Sequence, residues 1–451
     1  MEYITIYDYL LLPLYLFVFY FIVKVKSTRY PEADLRKFLK TAFFLRMFGS
    51  VAYSLIVQYY YGYGDSFTYY VGSSFFSDQI LQDPGNIKYL FSSSADIKQW
   101  YDVVIGNIEY SGYFGIPSAA MIMKISAVLS FICFNKFLII SLFFGFFSFL
   151  GQWKLFLVFN DIAKKKNTKF LAWAVLYSPS ICFWGSGLMK DSICLGALGF
   201  IFHIIYKIFV KKQVKKRDSI ALIVLIYFVF VIKSYIILIV LASLILVFFI
   251  RYVFQIRNLI VRIAMICVFL FTVGLVAALT NLQTAFTTFI DDSYAMVEIY
   301  KTNYESVNSD DENSRGAIKL SDFDSSPAGL ALKAPEVIFS CLYRPFLWES
   351  KKVIILFSAL ESTLLLLVTL YLMVKTRVVG FFSIIFSTPY ILFCFTLSIL
   401  FALIIGFTTF NFGTMARYKI MLLPFFYFML LSIYNKITGE KTKTIQPGSS
   451  Q

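Results

Sequence analysis

The chain has 451 residues, of which 59% are hydrophobic, 20% aromatic and only 15% charged, with a mean hydropathy of +0.74. That excludes a soluble globular fold, in which about half the residues are apolar. The net charge of +15 falls in short basic segments between apolar stretches, with no soluble module of interleaved basic and aromatic residues. Nucleic acid is therefore excluded as a partner, and anionic membrane lipids are the expected contact.

A span needs about 20 apolar residues and must satisfy its backbone internally, so helices are expected throughout. The apolar run from Tyr9 to Lys24 follows an acidic start (Glu2, Asp8) and has no basic leader or cleavage site, so it should remain as a helix. Basic residues from Lys24 to Lys40 place its end in the cytoplasm and the N-terminus in the periplasm. A second helix covers Thr41 to Tyr61. Residues Gly62 to Gly112 then form a first large periplasmic loop, with an amphipathic piece near Ile97 to Ile105. Two apolar stretches follow, Ile116–Phe134 and Phe137–Phe159, broken at Asn135 and Lys136. Two full crossings there would put the Lys164–Lys169 cluster outside, so either one stretch is re-entrant or interfacial, the favoured reading, or the cluster departs from the positive-inside tendency.

The remaining helices are expected at Phe170–Trp184, Ser192–Val210, Ile220–Ile232, Ile236–Tyr252, Leu259–Leu279, Val353–Val374, Phe381–Thr408 and Ile420–Tyr434. Basic segments at Lys211–Arg217, Arg251–Arg262, Lys375 with Arg377, and after Lys436 fit cytoplasmic turns and a cytoplasmic C-terminus. Residues 281–352 make a second large periplasmic loop, polar around "YESVNSDDENSRGAIKLSDFDSSPAG" and amphipathic in "APEVIFSCLYRPFLWESKK". The expected fold is all-α, one transmembrane domain over 1–451 with about 11–12 hydrophobic helices in a multi-pass bundle of a bacterial inner membrane. Six cysteines lie scattered, mostly in apolar runs, and read as buried thiols.

Insertion explains the cytoplasmic cations, so the informative charges lie on the outer side or within apolar runs. Asp65 in "YYYGYGDSFTYY" sits past the second helix at a depth that raises carboxylate basicity, and a Gly-Asp helix stop gives the same pattern. In "YSPSICFWGSGLMKDS", Lys190 and Asp191 open a helix: a corner for a phosphate, or an ordinary cap. Lys233 interrupts "VFVIKSYIILIV", reading as a substrate contact or as a lysine snorkelling to lipid. "LYRPFLWES" presents Arg344 as a phosphate fork, with Trp348 and Glu349 as sugar contacts or interfacial anchors. Arg417 and Lys419 lie just before the last helix. Glu361 stands inside a span, where Lys124, Lys154 and Lys207 either pair with it or snorkel. The single His203 reads as a packed residue rather than a ligand.

An acid in the first exported loop, a Pro-containing hairpin ending in a charged helix start, and late "RPF-WE" and "GT-R" elements resemble bacterial polytopic glycosyltransferases of the GT-C type and the related polysaccharide repeat-unit polymerases. The resemblance implies an all-helical fold, a periplasm-facing site, and a donor sugar on a polyprenyl phosphate or diphosphate. It assigns Asp65 as acid/base, with Arg344 and Arg417 on phosphate. The second early acid of the common pattern is missing from "GDSFTYY". Asp191 could replace it, or a polymerase could rely on arginines, which leaves dependence on a divalent metal open. Two other readings stand beside this one: a transporter or lipid-linked oligosaccharide flippase, and a non-catalytic membrane subunit of an envelope assembly.

Overall fold

One carboxylate closes two helix starts. In the computed structural model, the buried Asp8 accepts from the Thr5 N–H (2.9 Å) and hydroxyl (2.8 Å), capping α1 (Ile6–Ser27). Its other oxygen accepts from Leu138 N–H at 3.0 Å, in the first turn of α7 (Phe137–Ile162). Helix starts leave N–H groups without partners, and an acid there also meets the favourable end of the helix dipole. The described residues are 3–106, 110–256, 258, 261–262, 327–350, 353–409 and 411–444. They are helical with no strand, and they fall into two compact units, Met1–Leu238 and Ile239–Gln451.

In the first unit, α2 (Ala33–Ile56) continues as a wide turn to Tyr61, and α3 (Asp65–Gln82), α4 (Ser94–Ile105), α5 (Ser111–Gly115) and α6 (Pro117–Cys133) follow. The stretch expected as an exported loop is therefore mostly helix, and α4 covers its amphipathic piece. There the Ser111 hydroxyl, then Lys98, hold the Asp102 carboxyl below the usual carboxylate range. Helices α3 and α6 pack together, with Gly72 against Met123 and Tyr70 OH donating to Asn135 O at 2.8 Å. With 17 residues, α6 is about 25 Å long, short of the hydrocarbon core. Ser66, near the start of this segment, bonds Tyr53 at the end of α2 (2.9 Å), and the segment closes where Leu138 meets Asp8. It thus begins and finishes at one end of the unit, and α7 alone runs to the Lys164–Lys169 segment.

Contacts along α7 fix the helix directions. Starts meet at Asp8–Leu138, and ends meet where Trp153 Nε1 donates to Tyr30 OH at 2.7 Å, so α1 and α7 run parallel. Helix α2 runs the other way, with Arg46 against Ser148 (3.3 Å) and Ser50 against Ser141 (2.9 Å). Helix α10 (Lys190–Ile205) is parallel to α7, with Gly196 and Gly199 directly against Gly151 and Lys211 reaching Asp161 at 2.5 Å. The basic segments after α1, α7 and α10 therefore share one end of the unit. Asp8, Asp65, Lys190, Asp191 and Lys233 share the other.

Two sequence expectations are corrected and two gain detail. Phe170–Trp184 is two short helices, α8 (Thr168–Leu176) and α9 (Pro179–Trp184), because Pro179 cannot continue the first. The break expected at 233–235 falls at Lys233 (φ −149°, ψ 81°), a kink where two helices meet within α11 (Lys216–Gln255). Phe381–Thr408 is not one helix: α13 (Val353–Ser387) has two helices meeting at Arg377 (φ 58°), where a break was expected, and α14 (Pro389–Thr408) starts anew at Pro389. The polar-to-amphipathic part of the second loop includes α12 (Pro327–Tyr343) and a short turn, Leu347–Glu349. Apart from 261–262, the expected helix Leu259–Leu279 lies outside the described residues, as do Cys267 and residues 281–326. The other five cysteines are buried, and none forms a disulfide among the described residues.

Seven helices among the described residues are long and apolar enough to cross a bilayer. The count is eight if α15 (Phe412–Lys419) and α16 (Leu423–Thr444), bent by 64°, make one broken span. This is a multi-pass membrane protein. The count covers the described residues alone and takes the helices on either side of Lys233, and of Arg377, as one each. In the second unit, α12 packs on α14 where Gly406 meets Val337. Lys436 reaches Thr388 at 2.5 Å, and Lys375 lies over the Tyr434 ring at 5.9 Å, so basic residues gather at the α13–α14 junction.

Candidate functional site

Two groups of the singled-out charges form, one in each unit. In the first, α9 ends at Trp184, the Gly185–Met189 turn follows, and α10 opens with Lys190 and Asp191. Gly187 has no room for a side chain, since a Cβ there would lie 2.0 Å from the Tyr53 ring. The fully buried Asp191 pairs with the buried Lys233 at 2.5 Å, at the break in α11. The interruption is explained by this contact: a lysine in an apolar helix is costly unless matched, and leaving helical geometry brings its ammonium to an acid. Lys190 donates to Ser118 Oγ at 2.8 Å and lies 5.7 Å from the Tyr69 ring centre.

Tyr69 is one turn along α3 from Asp65, so the two side chains share a helix face. Asp65 is half-buried at the first position of α3, after Gly64 in a left-handed conformation (φ 132°). Through Tyr69 the starts of α3 and α10 are neighbours, each with an acid in its first turn. Lys190, Asp191 and Lys233 are thus brought together, with Asp65 linked to them through α3.

In the second unit, Arg344 holds Glu349 in a two-pronged pair: Nε donates to both carboxylate oxygens (3.0 and 3.2 Å), and Nη2 donates to Oε1. Glu349 also accepts from Phe346 N–H at 2.8 Å. The expected phosphate fork and the expected sugar contact are therefore engaged with each other. The Phe412 ring lies 5.3 Å from the Arg344 guanidinium. Lys419 is buried and donates to Ser362 Oγ (2.8 Å) and Arg344 O (3.3 Å). Arg417 lies 5.2 Å from the Tyr418 ring, and the exposed Trp348 stacks on Phe346 at 4.8 Å. Glu361 accepts from Tyr427 OH at 2.7 Å, Lys124 donates to Ser92 O at 2.6 Å, and Lys207 pairs with Asp218.

Arg46 is the residue that sequence reasoning missed. It is buried mid-helix in α2 and donates to Ile181 O (2.7 Å), Gly185 O (3.0 Å) and Ser148 Oγ (3.3 Å). Those carbonyls belong to the end of α9, where helices leave acceptors unmatched. It anchors the turn that carries Lys190. The signal was a lone arginine inside "FFLRMFGSVAY". Among the described residues, no three His, Cys, Asp or Glu side chains come together to hold a metal ion.

Set against family models, curated proteins and solved structures, the chain matches none.

Proposed function

We propose that this protein is a glycosyltransferase or oligosaccharide polymerase of a bacterial inner membrane, using a polyprenyl-phosphate- or diphosphate-linked sugar at the periplasmic face. The observation that carries the reading is the Lys190–Tyr69 contact, which brings an ammonium and the α10 start to the face of α3 that carries the half-buried Asp65 one turn away. In this reading Asp65 accepts the proton of an acceptor hydroxyl. The freed oxygen attacks the anomeric carbon, and the bond to the lipid phosphate breaks with its electron pair leaving on phosphate. Lys190 and the α10 N-terminus stabilise that charge, and Asp191–Lys233 holds the helix start in place. Arg417 and Lys419 form a second locus to be tested separately. The fold reading extends to a helical bundle with the basic ends in the cytoplasm, and the lipid-linked sugar and membrane lipids as partners.

The test is sugar transfer by purified protein in detergent from a polyprenyl-linked donor, with no ion gradient. Asp65→Asn should lower the rate at least about 100-fold and Lys190→Ala about 10-fold or more, the usual scale for an acid/base group and an electrostatic contact. Full transfer by a well-folded Asp65→Asn protein would overturn the assignment.

A transporter or lipid flippase is the second reading. The buried Asp191–Lys233 pair at a helix break, and the 64° bend between α15 and α16, favour it, because discontinuous helices mark transporter binding sites. Gradient-dependent movement of a lipid-linked oligosaccharide without sugar transfer would select it.

A further inference from the structure

We infer that Lys26, Arg29, Lys154 and Lys207, at the basic end of the first unit, form a binding site for the phosphate of an anionic phospholipid. The inference is independent of the transferase reading. Packing assembles the cluster. Trp153 and Tyr30 bond at 2.7 Å and clamp the ends of α7 and α1 together, which sets their sequence neighbours Lys154 and Arg29 side by side. The Gly151–Gly199 contact brings α10 against α7, so His203, one turn past Gly199, lies beside Lys154, one turn past Gly151. Lys207, one turn further, pairs with Asp218 at the start of α11. Lys154 lies within electrostatic reach of Arg29, Lys207 and Asp218, and Lys26 within reach of Lys154 and Arg29.

Four cations thus face one carboxylate. Two nearby acids are engaged elsewhere: Asp161 with Lys211 and Tyr206, and Glu32 with Lys165. Lys26 and Lys154 are half-buried, and neither has a hydrogen-bond or ion-pair partner among the described residues. His203 Nδ1 is likewise buried without a hydrogen-bond partner there. Half-buried like charges that outnumber their one counter-charge repel each other, and an anion seated among them removes the repulsion.

The occupant is taken to be a lipid because of what adjoins the cluster. Phe21, Ile22 and Val25, in the last turns of α1 beside Lys26, are apolar and exposed, so acyl chains can lie along α1 with the phosphate at the lysines. Basic pockets between membrane helices suit such head groups.

The test is titration of the purified protein in neutral phosphatidylcholine–detergent micelles with phosphatidylglycerol, reading bound lipid by native mass spectrometry. Wild type should retain phosphatidylglycerol over phosphatidylcholine. Lys26→Gln/Lys154→Gln should weaken retention about 30-fold, at roughly a fivefold loss per basic residue. Lys165→Gln/Lys211→Gln, which removes two lysines already paired with acids, should change it less than about twofold. If the first double variant does not fold, Lys154→Gln alone carries the test with about a fivefold loss. Equal loss in both double variants reduces the effect to general surface charge and overturns the site. Displacement by millimolar inorganic phosphate assigns it to a soluble anion and overturns the lipid.

Discussion

At the scale of single residues, the Asp191–Lys233 pair separates structural from chemical roles. Both side chains are buried, so removing one charge strands the other in an apolar interior. Asp191→Asn or Lys233→Met alone should cost about 3–5 kcal/mol, measured by thermal unfolding in detergent. Asp191→Leu with Lys233→Met replaces both charges by apolar groups and should recover most of that loss. If the pair only shapes the fold, the rescued double variant regains transfer as well. If its charges act on substrate, stability returns and transfer does not. The residues of this group were legible because each charge interrupts an apolar run or opens a helix. Their partners were not: nothing local in "VFVIKSYIILIV" says that Lys233 reaches an acid 42 residues earlier. Arg344 and Glu349 show the converse. Five residues apart, they were separable in sequence into a phosphate and a sugar contact, and the backbone between them turns so that each satisfies the other.

At the scale of elements, α7 and α10 are held by glycine. A Cβ on Gly151 would lie 1.9 Å from Gly196 O, and one on Gly199 would lie 2.1 Å from Gly151 O. In lipid, water supplies no hydrophobic drive between helices, so close backbone approach through small residues supplies much of the packing. Gly151→Ala should therefore destabilise by about 1–3 kcal/mol, the usual cost of overpacking. Gly112→Ala, with open space around its Cβ position, should be near neutral in the same unfolding measurement. Helix positions were largely legible, since apolar length and basic punctuation mark α1, α7 and α10 to within a few residues, while α2 starts at Ala33, inside the basic segment before the expected Thr41. Helix breaks were harder. The breaks at Lys233 and Arg377 are marked in the sequence by a cation between apolar runs, whereas those at Pro179 and Pro389 fall inside stretches expected as single helices, although the missing proline N–H advertises them.

At the scale of the whole molecule, each unit sorts its charges by end. In the first, the parallel course of α1, α7 and α10 puts the segments after them together, away from Asp65 and Lys190. In the second, Arg344, Glu349 and Lys419 gather around Ser362, while Lys375 and Lys436 gather near Tyr434 and Thr388. Ser362 and Lys375 are 13 residues apart on α13, about 20 Å of helix, so these are opposite ends. Short basic segments stay in the cytoplasm, which predicts one sidedness for all of them. Single cysteines at the exposed Tyr63 and Trp348 should react in intact cells with a membrane-impermeant maleimide. Cysteines at Lys212 and Arg377, also exposed, should react only after the membrane is opened. The unmodified chain is the background, because its five described cysteines are buried. Labelling of Lys212→Cys from outside would invert the first unit and put Asp65 in the cytoplasm. A polyprenyl-linked donor at the periplasmic face could not reach it there, so sidedness alone decides whether the proposed chemistry has a substrate.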